Sequence, residues 1–205
     1  MSFLPKPKVA QLILAAGCSS RMGKPKQLLA WRGTTLIGHA IKQAIELDGI
    51  TTYVILGAYY DTIYESIKNY PITILKNKDW QKGMGTTIQC GINTLQKKAI
   101  PYDAVLISLI DQPLLQTCHY KKLLESFYKG DHSIIATDLG EKKGVPSVIS
   151  SIYFDELSKL KENFGARYLI KQYKDQVKSI CAKNEGVDID TVTDYENLIK
   201  NNYSS

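Results

Sequence analysis

The sequence predicts an α/β fold built in three layers, αβα, around a mainly parallel sheet. Two observations carry that expectation. Residues 9–15 and 104–110 are short, almost wholly apolar runs, the pattern of strands covered on both faces. Between and after them, strand-like and helix-like periodicities alternate to about residue 137, which implies right-handed strand–helix–strand crossovers. The 205 residues, 44% hydrophobic and 22% charged, fit one globular domain spanning 1–205, with no repeat or low-complexity tract.

The elements follow in order. Residues 9–15 form the first strand, ended at Gly17, and 17–27 a polar loop. Residues 35–47 are helical, with Leu36, Ile37, Ala40, Ile41, Ala44 and Ile45 on one broad face, stopped by Asp48-Gly49. Residues 51–56 are β-branched and strand-like, 60–69 a short helix and 72–75 a strand. Gly83-Met84-Gly85 opens a helix over 86–97. The strand at 104–110 breaks at Asp111-Gln112-Pro113, and 117–128 is helical. The polar run 138–144 reads as an excursion, hairpin or lid before a strand near 146–149. Helices are expected near 154–160 and 166–172, and Thr193-Asp194-Tyr195-Glu196 reads as the capping box of a last helix.

Composition narrows the function. A scattered net charge of +6 suits an anionic small ligand and is too diffuse for nucleic acid; the thirteen tyrosines form no single-strand platform. Cys18, Cys90, Cys118 and Cys181 are too far apart for a thiolate metal motif and fit free thiols in a reducing, cytoplasmic setting. The longest apolar run, about eight residues, is far short of the ~20 of a membrane helix. Lys6, Lys8 and the stretch to Cys18 look superficially like a lipoprotein leader, but Gln11 interrupts a short apolar core, so no cleaved leader is expected. His39, His119 and His132 are scattered, and no G-x-S-x-G anchors hydrolase chemistry.

Ligands of open parallel sheets gather at the carboxyl ends of the strands. The loop there reads Leu14-Ala15-Ala16-Gly17-Cys18-Ser19-Ser20-Arg21-Met22-Gly23-Lys24-Pro25-Lys26-Gln27-Leu28. Its small residues let backbone N–H groups approach phosphate, and Arg21 and Lys26 add fixed positive charge. It is not a Walker A loop: five residues separate Gly17 from Gly23, and Pro25 follows Lys24. On the residues alone it is either a phosphate cradle or a basic surface loop. Asp111 stands at the end of an apolar strand, where a carboxylate either holds a cation or caps the turn before Pro113. Asp188 and Asp190 point to one side of an extended segment, to bind a cation or to solvate an edge.

The fifteen positions from Leu14 to Leu28 match the signature L-A-A-G-x-S-x-R-M-G-x-P-K-x-L. With Asp111-Gln112-Pro113, Asn77…Trp80…Gly83-Met84-Gly85-Thr86-Thr87 and Asp188-Ile189-Asp190-Thr191, the chain resembles the MobA-like NTP transferases. Among them it is most similar to the molybdenum-cofactor cytidylyltransferases (MocA-like). The resemblance runs over about residues 9–199 and is strongest before 115. It implies a Rossmann-like, GT-A-like nucleotidyltransferase fold. It also implies that Leu14, Ala15, Ala16, Gly17, Ser19, Arg21, Lys26, Gly57, Gly83, Gly85 and Thr87 bind nucleotide. Asp111 and Asp190 would hold Mg2+, with Asp188 in support, and Arg21, Lys26 and Asp111 would be catalytic. Gly144, Pro146 and Arg167 would face the acceptor. Here the chain departs from the group: Val145 replaces the His of G-H-P, and Glu162-Asn163 precede Gly165-Ala166-Arg167 where Gly-Asp is usual.

The implied reaction is attack of a phosphate of molybdopterin or molybdenum cofactor on the α-phosphorus of CTP, releasing pyrophosphate. A molybdenum hydroxylase apo-enzyme is an implied downstream partner. Relatives that transfer guanylyl groups read L-A-G-G where this chain has Leu14-Ala15-Ala16-Gly17, so Ala16 tilts the choice to CTP. The rivals are a sugar- or polyol-phosphate transferase, use of GTP, and a non-catalytic pterin chaperone.

Overall fold

The computed structural model describes residues 6–182 and 184–203. Seven strands form one sheet in the order β5-β4-β1-β6-β8-β7-β9. They are β1 (Val9–Ala15), β4 (Thr51–Leu56), β5 (Thr73–Lys76), β6 (Ala104–Leu109), β7 (Ile134–Asp138), β8 (Lys143–Ser150) and β9 (Val177–Cys181). β1 pairs in parallel with β4 and β6, as do β4 with β5 and β7 with β9; β8 alone runs antiparallel, against β6 and β7. The sheet is therefore mainly parallel, as expected. Every residue of β1 is buried, because both its faces are covered.

Strand alternation separates the two helical layers. Ala10, Leu12 and Leu14 of β1, with Tyr53, Ile55, Val105 and Ile107, face α3 (Met84–Gln96), α5 (Phe154–Leu157) and α6 (Ala166–Gln172). Ile13 and Ala15, with Val54 and Leu56, face α1 (Leu36–Ile45) and α2 (Tyr60–Ile67). Farther along that second face, Leu106, Ile135 and Val148 pack on α4 (Thr117–Tyr128). The last helix, α7 (Val192–Tyr203), contributes Leu198 to a separate cluster with Met22, Leu29, Trp31, Leu36 and Ile189. That cluster braces the 16–28 loop from below. Among the described residues no helix is long and apolar enough to cross a membrane.

The 138–144 run is a hairpin, one of the forms expected of it: residues 139–142 turn between β7 and β8 inside the main sheet, and Leu139 N donates to Lys142 O at 2.9 Å. Other expectations are corrected. The late strand is longer than 146–149 because it pairs on both sides. β9 carries partly exposed Lys178 and Ser179 at the sheet edge, and this weakens its apolar signal. A small antiparallel hairpin, β2 (Ala30–Trp31) with β3 (Thr34–Thr35), turns on Arg32 and Gly33, both at positive φ. The helix after Phe154 ends at Leu157 rather than near 160. The capping box lies two residues earlier than expected. Asp194 Oδ2 accepts from Thr191 N (2.8 Å) and Asp190 N (3.1 Å), while Thr191 Oγ1 accepts from Asp194 N (3.1 Å).

Candidate active site

β1 is the point where the sheet order reverses, with β4 on one side and β6 on the other. The crevice at the carboxyl ends of these strands is where a parallel sheet offers backbone groups to a ligand. A cleft of about 420 Å³ opens there. Leu14, Ala15, Ala16, Gly17, Ser19, Arg21, Lys26, Gly83, Thr87, Asp111 and Asp190 all line it.

The loop is shaped by one buried amide. Gln27 is 2% exposed, and its Nε2 donates to Ala15 O (2.9 Å) and Gly17 O (2.8 Å). This clamps both ends of the first bend over β1. Ser19 sits at φ 53° and Gly23 at φ 65°, left-handed positions that fold the chain back toward Lys26. Ser19 Oγ accepts from Lys26 N at 3.2 Å. Met22 is buried beneath and anchors the turn.

The charged centre follows. Lys26 Nζ donates to Asp111 Oδ2 (2.9 Å), Ile189 O (2.8 Å) and Asp190 Oδ1 (3.4 Å). Arg21 Nη2 lies 3.1 Å from Asp190 Oδ2. The Lys26 and Asp111 side chains are 14% and 19% exposed, against 65% and 42% for Arg21 and Asp190. The inner pair is thus shielded, while the outer one is screened by water. Burial pushes the Asp111 carboxyl above the usual carboxylate range, and the Lys26 ammonium pulls it partly back. Ile189 N donates to Asp111 O at 2.8 Å, which ties the C-terminal segment to the end of β6.

Asp111 and Asp190 fit a divalent ion by their chemistry. Both carboxylates reach a single point, the one Lys26 Nζ holds, and the buried Asp111 Oδ1 accepts no hydrogen bond among the described residues. No group of three or more His, Cys, Asp or Glu among the described residues could hold an ion. The remaining oxygens would have to come from substrate phosphates and water, the usual pattern for magnesium.

The far wall is α3. Asn77 Nδ2 donates to Thr86 Oγ1 and Thr87 Oγ1, both at 3.0 Å, and fixes the first turn. A Cβ on Gly83 would collide with Glu162 O, and one on Gly85 with Lys161 O. Gly85 N already donates to Glu162 O at 2.8 Å. Gly85 therefore admits the 161–163 loop and does not line the cleft. Gly57 is likewise outside the lining: a Cβ there would collide with both the Trp80 side chain and Ala16 O, so the glycine makes room for Trp80, which reaches the cleft instead.

A second cavity of about 210 Å³ adjoins the first and shares Leu14, Met84 and Leu109 with it. Gly144 and Arg167 line it. Pro146 does not; it is buried in β8, where its carbonyl accepts from Thr137 Oγ1 at 2.6 Å. Asp188 turns into this cavity rather than toward Asp190's ion pairs, its Oδ1 accepting from Gln112 Nε2 at 2.9 Å. Sequence reasoning missed Gln27, Gln112 and Lys142. The two amides carry no charge, and nothing in the sequence sets Lys142 apart from other surface lysines.

The MobA-like NTP transferase domain matches residues 11–177. The chain is 30% identical over 202 residues to nicotine blue oxidoreductase of Paenarthrobacter nicotinovorans, covering 94% of this chain and 97% of that protein. It is 31% identical over 146 residues to the bifunctional protein GlmU of Bifidobacterium adolescentis, covering 68% of this chain but only 32% of GlmU. Its fold matches the crystal structure of Rv0371c from Mycobacterium tuberculosis H37Rv with a TM-score of 0.82 at 21% identity, over 95% and 99% of the two chains. A second crystal structure of Rv0371c is a complex with manganese.

Proposed function

The chain belongs to the MobA-like NTP transferase family and is a nucleotidyltransferase, and on that premise we propose that it transfers a cytidylyl group from CTP to a phosphate of a molybdopterin-type acceptor. The observation that carries this reading is the convergence of Arg21, Lys26, Asp111 and Asp190 on one cleft, with a second, largely apolar cavity opening beside it.

The triphosphate lies along the 14–21 loop, with the base on the side of Ala16, Trp80 and Thr87. Ala16 carries a methyl group where a glycine would leave more room, and its carbonyl is fixed by Ala58 N at 2.9 Å. This favours the smaller pyrimidine. The acceptor lies in the second cavity. Its apolar wall of Leu14, Ile107, Leu109 and Val145 suits a flat heterocycle, and Gln112, Asp188, Lys142 and Arg167 suit a polar edge and an anionic tail.

An acceptor phosphate oxygen forms the new bond to the α-phosphorus as the bond from that phosphorus to the β-phosphate bridging oxygen breaks. The nucleophile is already anionic, so no side chain needs to take a proton. Catalysis is alignment and charge neutralisation. Lys26 and Arg21 neutralise the crowded α-phosphate and the departing pyrophosphate. Magnesium held by Asp111 and Asp190 would supply further charge neutralisation to phosphate oxygens.

Pyrophosphate release is the test, with CTP, GTP, UTP and ATP each assayed with and without a pterin phosphate acceptor. Release with CTP only when the acceptor is present supports the reading. Release with a sugar phosphate, release with GTP, or tight pterin binding without any release each contradicts it. So does an oxidoreductase activity, the one named for the P. nicotinovorans relative.

A further inference from the structure

The geometry points to Lys26 as the resident cation of the metal seat. In the nucleotide-free enzyme its ammonium holds the place between Asp111 and Asp190, and a divalent ion binds tightly only once a triphosphate draws Lys26 aside. This inference rests on the nucleotidyl-transfer reading of the cleft.

Three features carry it. First, the ammonium is saturated: its three donors go to Asp111 Oδ2, Ile189 O and Asp190 Oδ1. These three oxygens are the hard ligands a divalent ion would itself seek. Second, the seat is sheltered. Lys26 is 14% exposed, so its charge is weakly screened, and a second cation a few ångströms away would be strongly repelled. Third, the ammonium has somewhere to go. It rides on a flexible four-carbon stem, and the cleft beside it is lined by the small residues Ala15, Ala16, Gly17 and Ser19. An entering triphosphate offers the lysine an equal counter-charge there and removes the competitor from the seat. The carboxylate pair is then never left without a cation, which would be costly for so shielded a group as Asp111.

The test is manganese binding to the full chain, followed by electron paramagnetic resonance. Wild type without nucleotide is expected to bind Mn2+ weakly, and Lys26→Met and Lys26→Gln at least tenfold more tightly. Asp111→Asn in the Lys26→Met background should abolish the gain. If both Lys26 variants bind no more tightly than wild type while CTP still produces Asp111-dependent, protein-bound Mn2+ in wild type, the inference is overturned and the nucleotidyl-transfer reading stands. If CTP produces no such signal in wild type, both fall. A wild type that binds Mn2+ as tightly without CTP as with it overturns the inference without any variant.

Discussion

The Ile189 amide donates to the Asp111 carbonyl at 2.8 Å, and this one bond delivers the far end of the chain to the end of β6. Ile189 is fully buried on one side of its segment. Its neighbours therefore face the other way, Asp190 into the cleft and Asp188 into the adjoining cavity. A single apolar anchor thus sets both carboxylates.

Asp111→Asn keeps the shape and removes a charge. Turnover by pyrophosphate release should fall by about 10²–10³ or more, as when a preorganised group of a phosphoryl site is lost. The circular dichroism spectrum should stay as in wild type. Unchanged turnover would take Asp111 out of the site.

Lys26→Met should cost roughly 10²-fold in kcat, by the same comparison. The loss should appear at saturating CTP if the charge acts on the reacting phosphates, as proposed. A tenfold smaller effect would demote the residue.

Gln27→Leu leaves the Ala15 and Gly17 carbonyls without their shared donor. Stability should drop by about 1–3 kcal/mol in a urea titration. If the loop cradles the triphosphate as proposed, the KM for CTP should rise more than kcat falls, because the loop loses its clamp.

Gly85→Ala places a methyl group against Lys161 O, so the 161–163 loop must shift. A cost of about 2 kcal/mol is expected. At this chain length that lowers the melting temperature by ~4–8 °C. An unchanged melting temperature would show that the loop yields freely.

His119 is buried, its Nε2 2.8 Å from Thr137 Oγ1, and burial holds its pKa below the usual histidine value. The unfolded chain then binds a proton more readily than the folded one. Stability falls as pH drops from 6.5 toward the lowered value, and is regained above 6.5. The melting temperature should therefore fall between pH 7.5 and 5, and fall less in His119→Asn.

Much of this was legible in the sequence for a physical reason. Charged groups at strand ends advertise themselves: Lys26, Arg21 and Asp111 stand out against apolar or small neighbours, and the 14–28 loop is one contiguous string. The parallel core was legible too, because strands such as β1 are apolar throughout. Neutral amides were not, since Gln27 and Gln112 act only through partners that folding supplies. Glycines misled in the opposite direction. Gly57 and Gly85 look like ligand positions, yet each makes room for protein, Trp80 in one case and the 161–163 loop in the other. The cap of α7 slipped by two residues because Asp194 pairs with Thr191, a choice local composition does not decide.

The most direct measurement is anomalous diffraction from crystals grown with manganese and a non-hydrolysable CTP analogue. A metal peak touching carboxylate oxygens of both Asp111 and Asp190 is expected, with Lys26 moved onto the triphosphate. A metal peak elsewhere, or Lys26 still bridging the two aspartates beside bound nucleotide, would contradict it.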